Sequence, residues 1–201
     1  MKIAVIHENA EALLAGYGSL LASMASMGHA VNALAPGSGP DAAAGFEALG
    51  VEYAMYPLTP RGLTPVGDIG TLLHLKQVLY RIKPELVLSM TSKPVVYGSM
   101  AARMAWVGEK KTVFALVEGP GFAFAGGGGL KGRLLAALAR PMFRAGFRSC
   151  DGVCFRSAEA ETFFRELGVL QPETRTVVAD EPTPEDRDRA VLAFLGMIPT
   201  D

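Results

Sequence analysis

The chain has 201 residues, half of them hydrophobic, with a formal net charge of −1 and a mean hydropathy of +0.26. A near-neutral chain carries no global field toward nucleic acid, and no run reaches the roughly 18 apolar residues that a spanning helix needs. The length suits one globular α/β domain, or one domain with an appendage, large enough to bury a core.

Lys2 to Ile6 is a short continuous apolar run, the pattern of a strand covered on both faces. It starts so early that no signal peptide is expected ahead of it. His7 and Glu8 stand at its carboxyl end. Glu11 to Met27 reads as a helix, with Leu13, Tyr17, Leu20, Leu21 and Met24 at helical spacing and Gly28 as its stop. Val31 to Ala35 is a second strand, Asp41 to Leu49 a small Ala-rich helix, and Val51 to Tyr56 a third strand. A Pro/Gly-bounded loop, Thr59 to Thr64, leads into a helix from about Val66 to Ile82, ended by Pro84. Leu86 to Met90 is the fourth strand; Thr91, Ser92, Lys93 and Pro94 form its exit, and Val95 to Ala105 is the next helix, with Pro94 at its first position. Thr112 to Val117 is the fifth strand and Leu130 to Phe147 a basic helix with Pro141 as a kink point. Gly152 to Phe155 is a sixth strand, Ser157 caps a helix to Leu167, and Arg175 to Val178 is a seventh strand. Strands alternating with helices predict βαβ crossovers and one parallel Rossmann-like sheet of about seven strands over residues 1–178. From Ala179 to Asp188 the chain is acidic and Pro-rich and reads as a linker outside the core. A short helix, Ala190 to Met197, follows.

The stretch from Thr112 to Gly129 carries the most chemistry. A strand delivers one carboxylate, Glu118, then Gly119, Pro120 and Gly121, two phenylalanines and four glycines in a row. An acid and a tight glycine turn at a strand's carboxyl end is how open α/β sheets build ligand sites; the alternative is a turn and a solvated loop acid. By the same rule His7 and Glu8 face the crevice, although a helix-capping or core histidine fits equally. Thr91 and Lys93 put a hydroxyl and a cation at a helix N-terminus, which suits a diphosphate; Ser92 as an ordinary cap is the other reading. His29 precedes its strand and belongs at the opposite edge; His74 lies mid-helix on the surface. Gly16-Tyr17-Gly18 comes too far after the first strand to be a dinucleotide fingerprint, which weakens an oxidoreductase reading. Cys150 and Cys154 fit neither a disulfide framework nor a zinc pattern, so they read as buried free thiols in a reducing compartment. No metal or cofactor is expected. Glu173 and Glu181 are spaced seven apart by chance.

Between Gly119 and Cys150 there is no acid, yet Lys131, Arg133, Arg140, Arg144 and Arg148 are present. The four arginines fall on one side of a helix, with Leu134, Leu135, Leu138 and Met142 on another. That composition suits peripheral contact with an anionic membrane; a solvated basic face is the alternative.

Several segments, in order, resemble a known family: KIAVIHE, MGHAVNALAP, FEALGVEYAMYPLTP, PELVLSMTSKPVVYGSMAARMA, VFALVEGPGFAF, LKGRLLAALARPMFR and CDGVCFRSAEAETFFRELG. Together they resemble the amino-terminal domain of family-4 GT-B glycosyltransferases over about Lys2 to Val178. The nearest subgroup is the bacterial enzymes that extend undecaprenyl-diphosphate-linked saccharides. The resemblance implies a retaining, metal-free transferase of two Rossmann-like domains, with the acceptor on this side and the nucleotide sugar on the other. It implies acceptor contacts from His7, Glu8, Thr91, Lys93, Glu118, Gly119 and Gly121. The expected partners are a lipid-linked saccharide, an anionic membrane surface and a nucleotide-sugar-binding domain. The expected place is the cytoplasmic side of the cell membrane. Two departures stand out: Ala179-Asp180-Glu181-Pro182 replaces a glycine-rich hinge, and Gly16-Tyr17 replaces a Phe-Arg pair in the first helix. The competing reading is a non-catalytic sugar- or polyprenyl-diphosphate-binding module.

Overall fold

The computed structural model describes residues 1–37, 39–58, 65–106, 111–119 and 130–199, without the side chains of 65–66 and 130–135. Gly121, the two phenylalanines and the glycine run after it, and the loop 59–64 lie outside the described residues, as do the side chains of Lys131 and Arg133.

Seven strands form one sheet: β1 (Lys2–Ile6), β2 (Ala30–Ala35), β3 (Glu52–Met55), β4 (Leu86–Met90), β5 (Thr112–Val117), β6 (Gly152–Phe155) and β7 (Thr176–Val178). Their order is β3-β2-β1-β4-β5-β6-β7, and every neighbouring pair is parallel. The helices are α1 (Ala10–Ser26), α2 (Pro40–Ala48), α3 (Pro65–Ile82), α4 (Ser92–Ala105), α5 (Leu130–Arg148), α6 (Ala158–Glu166) and α7 (Pro184–Phe194). The period-two alternation of the strands sends their side chains to two cores. Ile3, Val5, Leu88, Met90 and Leu116 face α1, α2 and α7. Ala4, Ile6, Val87, Val113, Val117 and Phe155 face α3, α4, α5 and α6. Both faces are covered, which is why the central strands are apolar without a break.

Close helix packing depends on one glycine in α5. A Cβ on Gly146 would stand 2.9 Å from the Val95 carbonyl oxygen and from Val96 Cα. Only a residue without a side chain lets α5 come so near the backbone of α4.

Two sequence expectations change at helix starts. α4 begins at Ser92, with Thr91 as its N-cap residue, so Ser92 does not cap it and Pro94 falls in the third position. Proline is accepted there because the first-turn N–H groups have no partner within the helix. The acidic tail does not stay outside the core. Pro184 opens α7, Thr183 accepts the Asp186 N–H as its cap, and Glu185 and Asp186 sit in the first turn, where the helix dipole favours negative charge. What reads as a linker is therefore a helix N-terminus. Ala179, Val191, Leu192, Phe194 and Leu195 are buried. Phe194 packs on Phe114, ring centroids 4.9 Å apart, and fills the space left by Gly152, where a Cβ would stand 2.8 Å from its ring.

Candidate functional site

In this sheet the chain order reverses between β1 and β4: α1 leaves toward β2 on one side and α4 toward β5 on the other. Such a switch point opens a crevice at the carboxyl ends of the strands. His7, Glu8, Thr91, Lys93 and Glu118 all follow the carboxyl ends of β1, β4 or β5.

They are close enough to act on one another. The Glu118 charge reaches both His7 and Glu8, and Glu8 is within reach of the Thr91 hydroxyl and the Lys93 charge. His7 is buried. Its Nδ1 lies 2.7 Å from the Asn9 carbonyl and 3.0 Å from the Asn9 nitrogen, accepting from the N–H in one tautomer and donating to the carbonyl in the other. Tyr56 donates to the His7 carbonyl at 2.8 Å. Burial lowers the His7 pKa, against the pull of the Asn9 backbone bond and of Glu118. Asn9 also caps α1, accepting from the Ala12 N–H at 2.7 Å. His7 thus braces the loop that leads into α1. Glu8 is accessible at its rim but crowded on its inner side, and that desolvation raises its carboxyl.

Thr91 holds φ 67° and ψ 168°, a region that side chains rarely enter. Its hydroxyl donates to the Met90 carbonyl. Lys93 does not extend into open crevice: its ammonium is buried and pairs with Asp68 of α3 at 3.2 Å. Tyr97, one turn on, lies beside the same carboxylate; burial raises its hydroxyl pKa and Asp68 adds to the rise. A buried, paired lysine is committed to joining α3 and α4.

Glu118 is exposed and accepts a 2.7 Å hydrogen bond from the Tyr17 hydroxyl of α1. The Tyr17 ring is buried, and its pKa is raised by burial first and then by the Glu118 charge. Arg187 of α7 lies over that ring, 4.6 Å from its centroid, donates to the Gly16 carbonyl at 2.7 Å and pairs with Asp188 at 2.7 Å. Asp188 in turn accepts from Ser19. The tail helix therefore supports α1 from behind and fixes the tyrosine that positions the acid. Gly119 follows Glu118 directly, and no described residue stands within 4 Å of where its Cβ would be.

Sequence reasoning missed Tyr17 as the partner of Glu118, Asp68 as the partner of Lys93, and Arg156 and Arg187. Arg156 had a readable signal. It is the first residue past β6, as Glu118 is past β5 and His7 past β1. His29 is at the other edge, where its Nδ1 lies 3.4 Å from the chain's amino terminus. Among the described residues no group of three His, Cys, Asp or Glu is placed to hold a metal. Burial pushes both Cys150 and Cys154 thiols up to about 12, so neither supplies a thiolate near neutrality.

On α5, Arg140, Arg144 and Arg148 are exposed and line a cavity of about 530 Å³ with Pro141 and Ala145. Arg144 also donates twice to the Gly168 carbonyl, at 3.2 and 2.6 Å, which closes the end of α6. The buried face of the helix is Ala139, Phe143 and Phe147, while Leu138 is 54% exposed. Leu138, Pro141 and Met142 line a second, apolar groove of about 510 Å³ with Ile69 and Leu72 of α3 and Val96, Tyr97 and Met100 of α4. Pro141 and Ala145 border both hollows. No described helix is long and apolar enough to cross a membrane.

Comparison with known proteins agrees with this architecture. The chain is similar over 98% of its length to a sucrose-phosphate synthase structure from Thermosynechococcus elongatus, covering 97% of that chain with TM-score 0.62 and 9% identity. It is similar to MurG from Acinetobacter baumannii over 89% of its length, with TM-score 0.55 and 14% identity. A lipopolysaccharide outer core galactosyltransferase, WaaB, matches 91% of the chain with TM-score 0.55 and 15% identity. The chain spans 44% of MurG and 46% of WaaB. At these identities the likeness is one of fold. No curated protein matches the sequence. The model of a glycosyl transferase 4-like domain matches residues 16–180, and that span, reaching from α1 past β7, places the chain in the glycosyl transferase 4-like family.

Proposed function

We propose that this chain is the acceptor-binding half of a retaining glycosyltransferase that acts on lipid-linked saccharides in bacterial polysaccharide or glycoprotein synthesis. The undecaprenyl-diphosphate-linked class is the nearest in kind. The observation that carries the lipid side of this reading is α5. An exposed apolar groove runs along Leu138 and Met142, and the arginine-lined hollow adjoins it across Pro141 and Ala145. Such a pairing suits a surface that is apolar within and anionic at its headgroups. In this reading the protein is peripheral on the cytoplasmic face of the membrane. The acceptor sugar enters at the carboxyl edge, where Glu118 binds its hydroxyl or accepts the proton, with Tyr17 holding the carboxylate in place. Thr91, Glu8 and Gly119 line the approach; His7 and Lys93 hold its walls. Gly121 belongs to the same turn by sequence.

The described residues build one sheet with one carboxyl-edge crevice. The activated sugar is held by a nucleotide-sugar-binding domain on the same or another polypeptide, so these 201 residues alone do not transfer sugar. Without that domain the two reactants are not brought together, and the proximity contribution is lost.

Vesicle co-sedimentation and calorimetry test the proposal. The chain is expected to bind vesicles containing anionic lipid, to lose them as salt rises, and to lose them in Arg140→Glu/Arg148→Glu. Arg144 is left intact in that variant because it also closes α6. A short-chain polyprenyl-diphosphate saccharide should bind saturably, and Glu118→Ala should weaken it about ten-fold or more, the order of one charged hydrogen bond. Saturable binding of a UDP-sugar by the isolated chain, or vesicle binding unchanged in the double variant, would overturn the acceptor-side and membrane readings respectively. Acceptor binding with no transfer even after a donor domain is supplied favours the non-catalytic module.

A further inference from the structure

Arg156 brings a half-buried cation to the crevice. It is the first residue after β6, and its backbone N–H donates to the Val117 carbonyl at 2.9 Å, which fixes it beside the residue that precedes Glu118. Its side chain is near enough to Tyr17 for its charge to be felt at the phenol. Its Nη1 is fully buried and has no hydrogen-bond partner among the described residues. The other charges there are committed: Glu118 to the Tyr17 hydroxyl, Arg187 to Asp188 and the Gly16 carbonyl. A guanidinium is always charged and presents paired donors in a fixed plane. A buried donor of that kind left unmade is costly, and each such group in a folded protein calls for an explanation.

We propose that Arg156 is an anion-binding residue of the crevice and receives a diphosphate group of the bound ligand. Phosphate oxygens supply the acceptors that Nη1 lacks, in the bidentate geometry for which arginine is suited. Tyr17 holds the nearby Glu118 carboxylate in place by a hydrogen bond on the α1 side. Lys93, the cation that sequence reading put forward for this task, is already paired with Asp68. Arg156 takes the role instead. The inference refines the acceptor-side reading but does not depend on it, since a diphosphate is shared by polyprenyl-linked acceptors and nucleotide sugars.

The test is calorimetric titration of the intact chain with inorganic pyrophosphate. Saturable binding is expected, weakened at least ten-fold in Arg156→Gln and partly retained in Arg156→Lys. Arg81→Gln, at the opposite edge of the sheet, should bind as the parent does. Binding in Arg156→Gln within two-fold of the parent, or no binding of pyrophosphate by the parent, overturns the proposal. Should Arg156→Gln fail to fold, the side-chain Nε–H signal of Arg156 in the parent, followed by NMR during the titration, gives the answer: it must shift with saturation, and a signal that stays put overturns the assignment. Geranyl diphosphate and UDP, compared at the same site, separate the sources. Preference for the prenyl compound supports both Arg156 and the acceptor-side reading. Preference for UDP, lost in Arg156→Gln, supports Arg156 as the diphosphate residue while sinking the acceptor-side reading.

Discussion

At the end of β1, His7 is kept neutral because burial removes the water that would solvate an imidazolium. A pKa below the ordinary 6.5 means that the unfolded chain takes up a proton more readily than the folded one. The His7 contribution to stability is therefore complete above 6.5 and is lost as pH falls through that value toward the folded pKa. The slope is at most about 1.4 kcal/mol per pH unit for one proton. Glu8 works in the opposite sense. Its raised carboxyl favours the folded state in acid, and that contribution fades as pH rises through the folded value. Urea denaturation at pH 7.5 and 5.5 should show the parent losing stability over this interval and His7→Gln losing distinctly less. Equal losses in the two proteins would place the pH dependence elsewhere.

Among the elements, α7 changes most between sequence and structure, and Phe194 is its largest buried anchor. The Phe194 ring sits against Phe114, over Gly152, with the Arg175 guanidinium 4.9 Å from its centroid. Truncating a fully enclosed aromatic ring leaves a cavity, and Phe194→Ala should cost about 3–5 kcal/mol. Chemical denaturation measures it, and a loss under about 1 kcal/mol would make α7 a detachable appendage. The same variant should loosen Arg187 from Tyr17, so near-ultraviolet circular dichroism of the tyrosines is a second readout. Sequence reasoning read a helix only from Ala190 onward, because the amino-terminal half of α7, Pro184 to Asp188, is proline and acid with one arginine. Those residues signal a linker as well as they signal the cap and first turn of a helix, and only the apolar spacing of Val191, Leu192 and Phe194 against α1 decides between them.

Over the whole molecule, the seven strands and their parallel pairing were legible because each strand is a short apolar run between turn signals. The carboxyl-edge rule also located Glu118, Glu8 and Thr91 in one place. Partnerships across the fold were not legible. Nothing local to Lys93 points to Asp68 on α3, and nothing local to Glu118 points to Tyr17 on α1, since these contacts exist only once crossovers stack the helices. The basic helix was read as two faces, and it has three. The buried one belongs to Phe143 and Phe147, which leaves Leu138 to solvent and creates the apolar groove.

The central place of β1 has a consequence for how the chain is made. β1 is the first of the seven strands to be made and gains its β2 neighbour early, Ile3 opposite Val31 and Val5 opposite Ala33. Its other edge pairs Ile3 with Leu86 and Val5 with Leu88, so it waits until β4 has left the ribosome. Throughout that interval the half-built sheet shows an unpaired apolar edge, the kind of surface that neighbouring nascent chains and holding chaperones seize. Refolding from urea should carry the same delay. A stopped-flow folding limb that bends over at low denaturant is expected, from a β1-to-β3 intermediate, and a straight two-state chevron would show that the two halves close together. The first of the seven strands to be made gains its second neighbour only after β2 and β3 are in place.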